Sequence, residues 1–157
     1  MTTKLKNFYQ NLTYDGFKKS AVIICFVADV LFYIFIKTYI LNPESLDKSL
    51  SKYLPTQGLI SSVERNQMID FVIAQVSTMI IGYFAFNLIT YVFFLQEKKW
   101  AIKYISKGTA LFGIIFSIFT VYEAYQYSTI WALIMITLIP AYFFVWRGCA
   151  YFFTADK

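Results

Sequence analysis

The stretch SAVIICFVADVLFYIFIKTYIL, residues 20–41, is apolar almost throughout, yet Asp29 stands near its middle. A helix rises 1.5 Å per residue, so about 20 residues cross the ~30 Å hydrocarbon core of a bilayer. Residues 20–41 meet that length. Their apolar run exceeds the ~7–15 residues of a secretory signal core, and no small-residue cleavage pattern follows it. It reads as a retained span. Three further segments reach the same length: residues 71–95, 101–122 and 129–146. The expected fold is therefore all-α, a single four-span membrane domain over residues 1–157.

Composition agrees. Of 157 residues, 59% are hydrophobic and 21% aromatic, more apolar surface than one small soluble core can hide. With no histidine, histidine-based metal sites and histidine acid–base catalysis are excluded. The cysteines, Cys25 and Cys149, form no metal-type cluster. No phosphate loop and no Ser/His/Asp or Cys/His arrangement is present. Neither an enzyme nor a bound cofactor or metal is expected. Glu64, Asp70 and Glu123 are scattered carboxylates that read as a solvated rim.

Lys and Arg set the orientation. Lys4, Lys6, Lys18 and Lys19 precede the first span, Lys98, Lys99, Lys103 and Lys107 cluster at the turn into the third, and Arg147 and Lys157 follow the fourth. Only Lys37, Lys48, Lys52 and Arg65 fall on the other side. Both termini are expected in the cytoplasm. Both cysteines then fall toward that side, which argues against a structural disulfide. The turns QEKKW (residues 96–100) and EAYQYS (residues 123–128) are short enough to make successive spans antiparallel neighbours, giving an antiparallel four-transmembrane-helix bundle.

The outer loop, residues 42–67, is longer. Asn42 and Pro43 suit a helix start, and Leu46, Leu50, Tyr53 and Leu54 recur at helical spacing. A short amphipathic outer helix is expected, then a turn at PTQG (residues 55–58). Ser61 and Glu64 fit a capping box, which would start the second helix outside the bilayer. Leu5, Phe8, Tyr9 and Leu12 share a face, as an interfacial helix would arrange them.

A carboxylate inside the bilayer costs at least ~2.5–3.5 kcal/mol, so Asp29 should face protein or water. Ala21, Cys25 and Asp29 lie four apart, on one face with small residues. At 1.5 Å per residue, Asp29 is roughly 14 Å deep, Asn87 roughly 12 Å and Lys107 roughly 10 Å. An intramembrane polar cluster of Asp29, Asn87 and Lys107 follows, with a snorkelling Lys107 as the alternative. Ala74, Thr78 and Gly82 on the second span, and Thr109, Gly113 and Ser117 on the third, are small-residue faces suited to close helix packing, within the chain or between copies. Lys98, Lys99 and Lys103 with Trp100 suit anionic headgroups on the cytoplasmic side, and nucleic acid is not an expected partner.

In span count and orientation the chain is similar to several groups of small four-span proteins, among them immunity proteins against pore-forming bacteriocins. The small multidrug transporters also carry an acid in the first of four spans. This chain is longer, and its lysine bias departs from the dual topology some of them use. The absence of catalytic groups, the small mass outside the spans, the packing faces and the outer amphipathic segment lead to the expectation of a cell (inner) membrane protein, a non-enzymatic component that associates with another membrane protein or with itself; the alternative is a small channel or proton-coupled transporter using Asp29.

Overall fold

The computed structural model describes residues 8–53 and 61–153, without the side chains of Ser49, Lys52 and Tyr53. No strand occurs among the described residues. A helical turn at residues 8–10 precedes five helices: α1 (Tyr14–Ile40), α2 (Pro43–Tyr53), α3 (Ser62–Leu95), α4 (Lys99–Tyr127) and α5 (Thr129–Phe152). Four of these, α1, α3, α4 and α5, are long and apolar enough to cross a membrane, as in a multi-pass membrane protein. The expected PTQG turn, Leu5 and Leu54 lie outside the described residues.

Local chemistry explains where the helices begin. Thr13 Oγ1 accepts from the Gly16 N–H at 3.1 Å ahead of α1. Asn42 Oδ1 accepts from Glu44 N–H at 3.0 Å, with Pro43 opening α2. Ser61 and Glu64 form the reciprocal box: Ser61 Oγ accepts from Glu64 N–H at 3.3 Å, and a Glu64 carboxylate oxygen accepts from Ser61 N–H at 2.8 Å. α3 consequently runs 34 residues, about 51 Å at 1.5 Å each, well over the thickness of a bilayer core. Ser128 caps α5 through the Ile130 N–H at 3.3 Å. α4 starts at Lys99, and Lys98 before it supplies no side-chain cap.

The turn between α3 and α4 is a Schellman stop: Lys98 N–H bonds Phe93 O at 3.0 Å and Glu97 N–H bonds Phe94 O at 2.9 Å. Glu97 takes the left-handed position there, at φ 62°, which usually selects glycine. Its side chain accounts for the exception. The carboxylate accepts from Lys18 Nζ at 2.7 Å, and Lys18 also pairs with Asp15 at 2.9 Å and sits over the Tyr14 ring at 4.5 Å. The Lys18 partner holds the Glu97 carboxyl below the ordinary glutamate value of 4.5.

By its internal packing the chain divides into two compact units: Met1–Asp29 with Asn87–Lys157, and Val30–Phe86. The first unit draws on all four long helices. Gly113 of α4 meets the Tyr142 ring, and Gly148 of α5 meets the Phe17 ring of α1. Phe17 is itself enclosed by the rings of Tyr9, Phe144, Phe152 and Phe153. Tyr9 corrects the interfacial-face reading of the N-terminal segment. It is 1% exposed, and its hydroxyl donates to Phe144 O at 2.8 Å, so this aromatic side chain packs inward instead of resting on a lipid surface. In the second unit, α2 lies against residues 36–40 of α1. Arg65 of α3 holds α2 through the Asp47 carboxylate at 2.5 Å, the Asp47 carbonyl at 2.9 Å and Ser51 Oγ.

Two stretches depart from α winding. Ile36–Ile40 ends α1 with i→i+5 bonding, and Tyr104–Leu111 does so within α4.

Candidate functional site: a buried polar group around Asp29

α1 presents Ala21, Cys25 and Ala28 to the interior at 0% exposure, and Asp29 continues that face at 7%. Opposite stand Asn87 and Tyr91, one helical turn apart on α3 and 0% and 4% exposed. Asn87 Nδ2 donates to Asp29 Oδ2 at 2.8 Å, and the Tyr91 hydroxyl donates to the same oxygen at 2.5 Å. The Tyr104 hydroxyl of α4 donates to Asn87 Oδ1 at 3.1 Å. That bond orients the amide with its nitrogen toward Asp29. The carboxyl group is thus met by neutral donors from two residues, each carrying a charge-assisted bond if it is ionised. Such an arrangement fixes the register of three helices and can hold or release a proton without breaking an ion pair.

Lys107 is not part of this group. Its side chain is exposed, and the ion pairs among the described residues are Lys18 with Asp15 and Glu97, and Arg65 with Asp47. Depth matching sets Asn87 and Lys107 alike beside Asp29 and ignores winding. The π stretch begins at Tyr104, and each residue in it advances less around the axis than in an α-helix. Lys107, three residues on, is carried away from the face that Tyr104 presents to Asn87. Tyr91 is the partner that the sequence reading missed. Its position four residues after Asn87 was the available signal.

The small-residue faces divide. Ala21 and Cys25 are buried, as are Thr109, Gly113 and Ser117. The hydroxyls of Thr109 and Ser117 find no hydrogen-bond partner among the described residues. Ala74, Thr78 and Gly82 are exposed, and a Cβ built on Gly82 meets nothing within 4 Å. Lys98, Lys99, Lys103 and Trp100 are all exposed, with the Trp100 ring 5.3 Å from that of Phe93.

Elsewhere, an open groove of about 540 Å³ runs between α2 and α3, lined in part by Glu44, Asp47, Lys48, Asn66 and Asp70. Glu64 is occupied by its cap, and no group of acidic or sulfur side chains among the described residues is arranged to hold a metal ion. No family model, curated protein or solved structure matches the chain.

Proposed function

We propose that the chain is a small non-enzymatic protein of the cell (inner) membrane that works by helix association with another membrane protein, as an accessory subunit or an immunity-type protein does. In this reading α1, α3, α4 and α5 form an antiparallel bundle with both termini cytoplasmic, following the lysine and arginine asymmetry. α2 then lies on the outer side. The observation that carries the reading is the bare face of α3. The small residues of α1 and α4 are used internally, whereas Ala74, Thr78 and Gly82 are exposed and leave a helix surface that a second helix can approach closely.

Photo-crosslinking in native membranes tests it. A benzophenone side chain at Thr78 or Gly82 should give an adduct of one discrete mass, while one at Phe119 of α4 should not. An adduct of twice the chain mass would identify a second copy as the partner. Adducts at neither α3 position, or equal adducts at all three, would remove the proposal.

The arrangement at Asp29 favours one rival, a channel or proton-coupled transporter. Its carboxyl group has neutral partners and pairs with no cation among the described residues, so it can bind a proton. Reconstituted vesicles decide: proton flux abolished by Asp29→Asn in a folded protein selects the rival, and no flux in the unmodified protein rejects it.

A further inference from the structure

One exposed face of α4 changes character along its length. Lys99, Lys103 and Lys107 are exposed at steps of four, and Phe112, Phe116 and Phe119 follow at 63%, 38% and 73% exposure. The step of five from Lys107 to Phe112 crosses the π-wound stretch, where bonding runs i→i+5, so the face stays in register. Trp100, 46% exposed, flanks the basic end. The rings of Phe112 and Phe116 lie nearly parallel, 17° apart with centroids at 6.4 Å, and give the apolar part a smooth surface.

Lys107 makes this more than a basic helix end. It lies eight residues beyond Lys99, up to ~12 Å along the helix, within a segment apolar enough to cross a membrane. It forms no ion pair among the described residues. The acid nearest this end of the helix in sequence, Glu97, is engaged by Lys18. An ammonium so placed must reach back along its own helix toward the aqueous boundary. That direction brings it toward Lys103 and Lys99, at the level where a bilayer offers phosphate oxygens.

We infer that this face binds one anionic phospholipid, its phosphate held by Lys99, Lys103 and Lys107 beside Trp100, and its acyl chain lying on Phe112, Phe116 and Phe119. The site rests on α4 spanning a bilayer, as proposed above. It does not depend on what α3 binds.

Trp100 reports on the site directly. The full chain carries three tryptophans, so Trp131→Phe with Trp146→Phe leaves Trp100 as the sole indole. The protein is reconstituted in phosphatidylcholine vesicles containing either phosphatidylglycerol brominated near the glycerol or equally brominated phosphatidylcholine, at the same mole fraction. The expected result is several-fold stronger quenching by phosphatidylglycerol. Lys103→Gln with Lys107→Gln should abolish the preference and leave quenching by phosphatidylcholine unchanged. Both lysines are exposed, so a circular-dichroism melt matching the parent should accompany the loss. Equal quenching by the two lipids in the protein with its lysines intact overturns the site, as does a preference that survives the lysine changes. Relief of quenching by dissolved glycerol phosphate also overturns it, in favour of a soluble anion. If neither lipid quenches Trp100, α4 does not lie in the bilayer, and the spanning reading fails together with the site.

Discussion

Gly148→Ala is the sharpest test of how α1 and α5 meet. A Cβ at position 148 would stand 2.0 Å from Phe17 Cε2 and 2.5 Å from its Cζ. Carbon atoms rest at about 3.5–4.0 Å, so ring and helix must separate by ~1.5 Å or more. The ring has nowhere to go. Phe17 is 0% exposed, stacks on Phe152 at 4.9 Å, and is bounded by Tyr9 and Phe144 at 6.4 and 5.7 Å. Over-packing of this kind costs about 1–3 kcal/mol, and the enclosure puts this case at the upper end, ~2–3 kcal/mol. For a chain near this size each kcal/mol lowers the melting temperature by about 2–4 °C, so detergent melts should fall by ~4–12 °C. Phe17→Ala alone should cost about 3–5 kcal/mol through the cavity it leaves. The double variant should be no worse than Phe17→Ala, because the added methyl enters space already vacated. A Gly148→Ala melt indistinguishable from the parent, or costs that simply sum in the double variant, would show that the two helices do not approach as described.

Four further outcomes are expected. At Asp29, melts should rank Asp29→Ala as most damaging, then Tyr91→Phe, then Asp29→Asn, since alanine leaves two buried donors unpaired at about 1–3 kcal/mol each and asparagine still accepts from both. Asp29→Ala and Lys107→Ala should add within experimental error, and a coupling above ~0.5 kcal/mol would reinstate the ion pair. Glu97 has a depressed pKa in the fold, so its contribution is complete above the unfolded value and is lost as pH falls through the folded one, below 4.5. Melts taken between roughly pH 6 and pH 3 should show a smaller acid-induced drop in Glu97→Gln than in the parent, and parallel curves would count against the Lys18 contact. Arg65→Ala should release α2, seen as gained mobility of a spin label at Lys48, while the global melt shifts by less than about 1 kcal/mol. An unchanged spectrum would mean that other contacts hold α2.

The spans were legible because length and apolarity decide them. The apolar limits 71–95 and 129–146 fall inside helices that run Ser62–Leu95 and Thr129–Phe152, since a helix need not stop where its hydrophobicity does. The caps at Asn42 and Ser61 were legible for a local reason: the donors and acceptors lie within three residues of one another. Asn87 was placed near Asp29 from depth alone. Tyr91 and Tyr104 were not, because a tyrosine in an apolar run reads as one more aromatic, and only a tertiary partner shows which hydroxyls are used. Lys107 was misplaced because an i→i+5 stretch has no simple signature in residue types. The spacing of Ala74, Thr78 and Gly82 matches that of Thr109, Gly113 and Ser117, so sequence cannot say which face is covered and which is bare.

The π winding of Tyr104–Leu111 also decides where this chain can change its length. A π turn holds more residues than an α turn over the same axial run. Losing one residue there lets part of the stretch rewind as α-helix while Gly113 keeps its place against Tyr142. In α5 no such slack exists, and a deletion just before Gly148 would turn everything beyond it by about 100°. Related chains one residue shorter should therefore carry the gap between 104 and 111. Deleting Lys107, which forms no ion pair among the described residues, should leave the melt close to the parent's while removing the cation deepest in the α4 face.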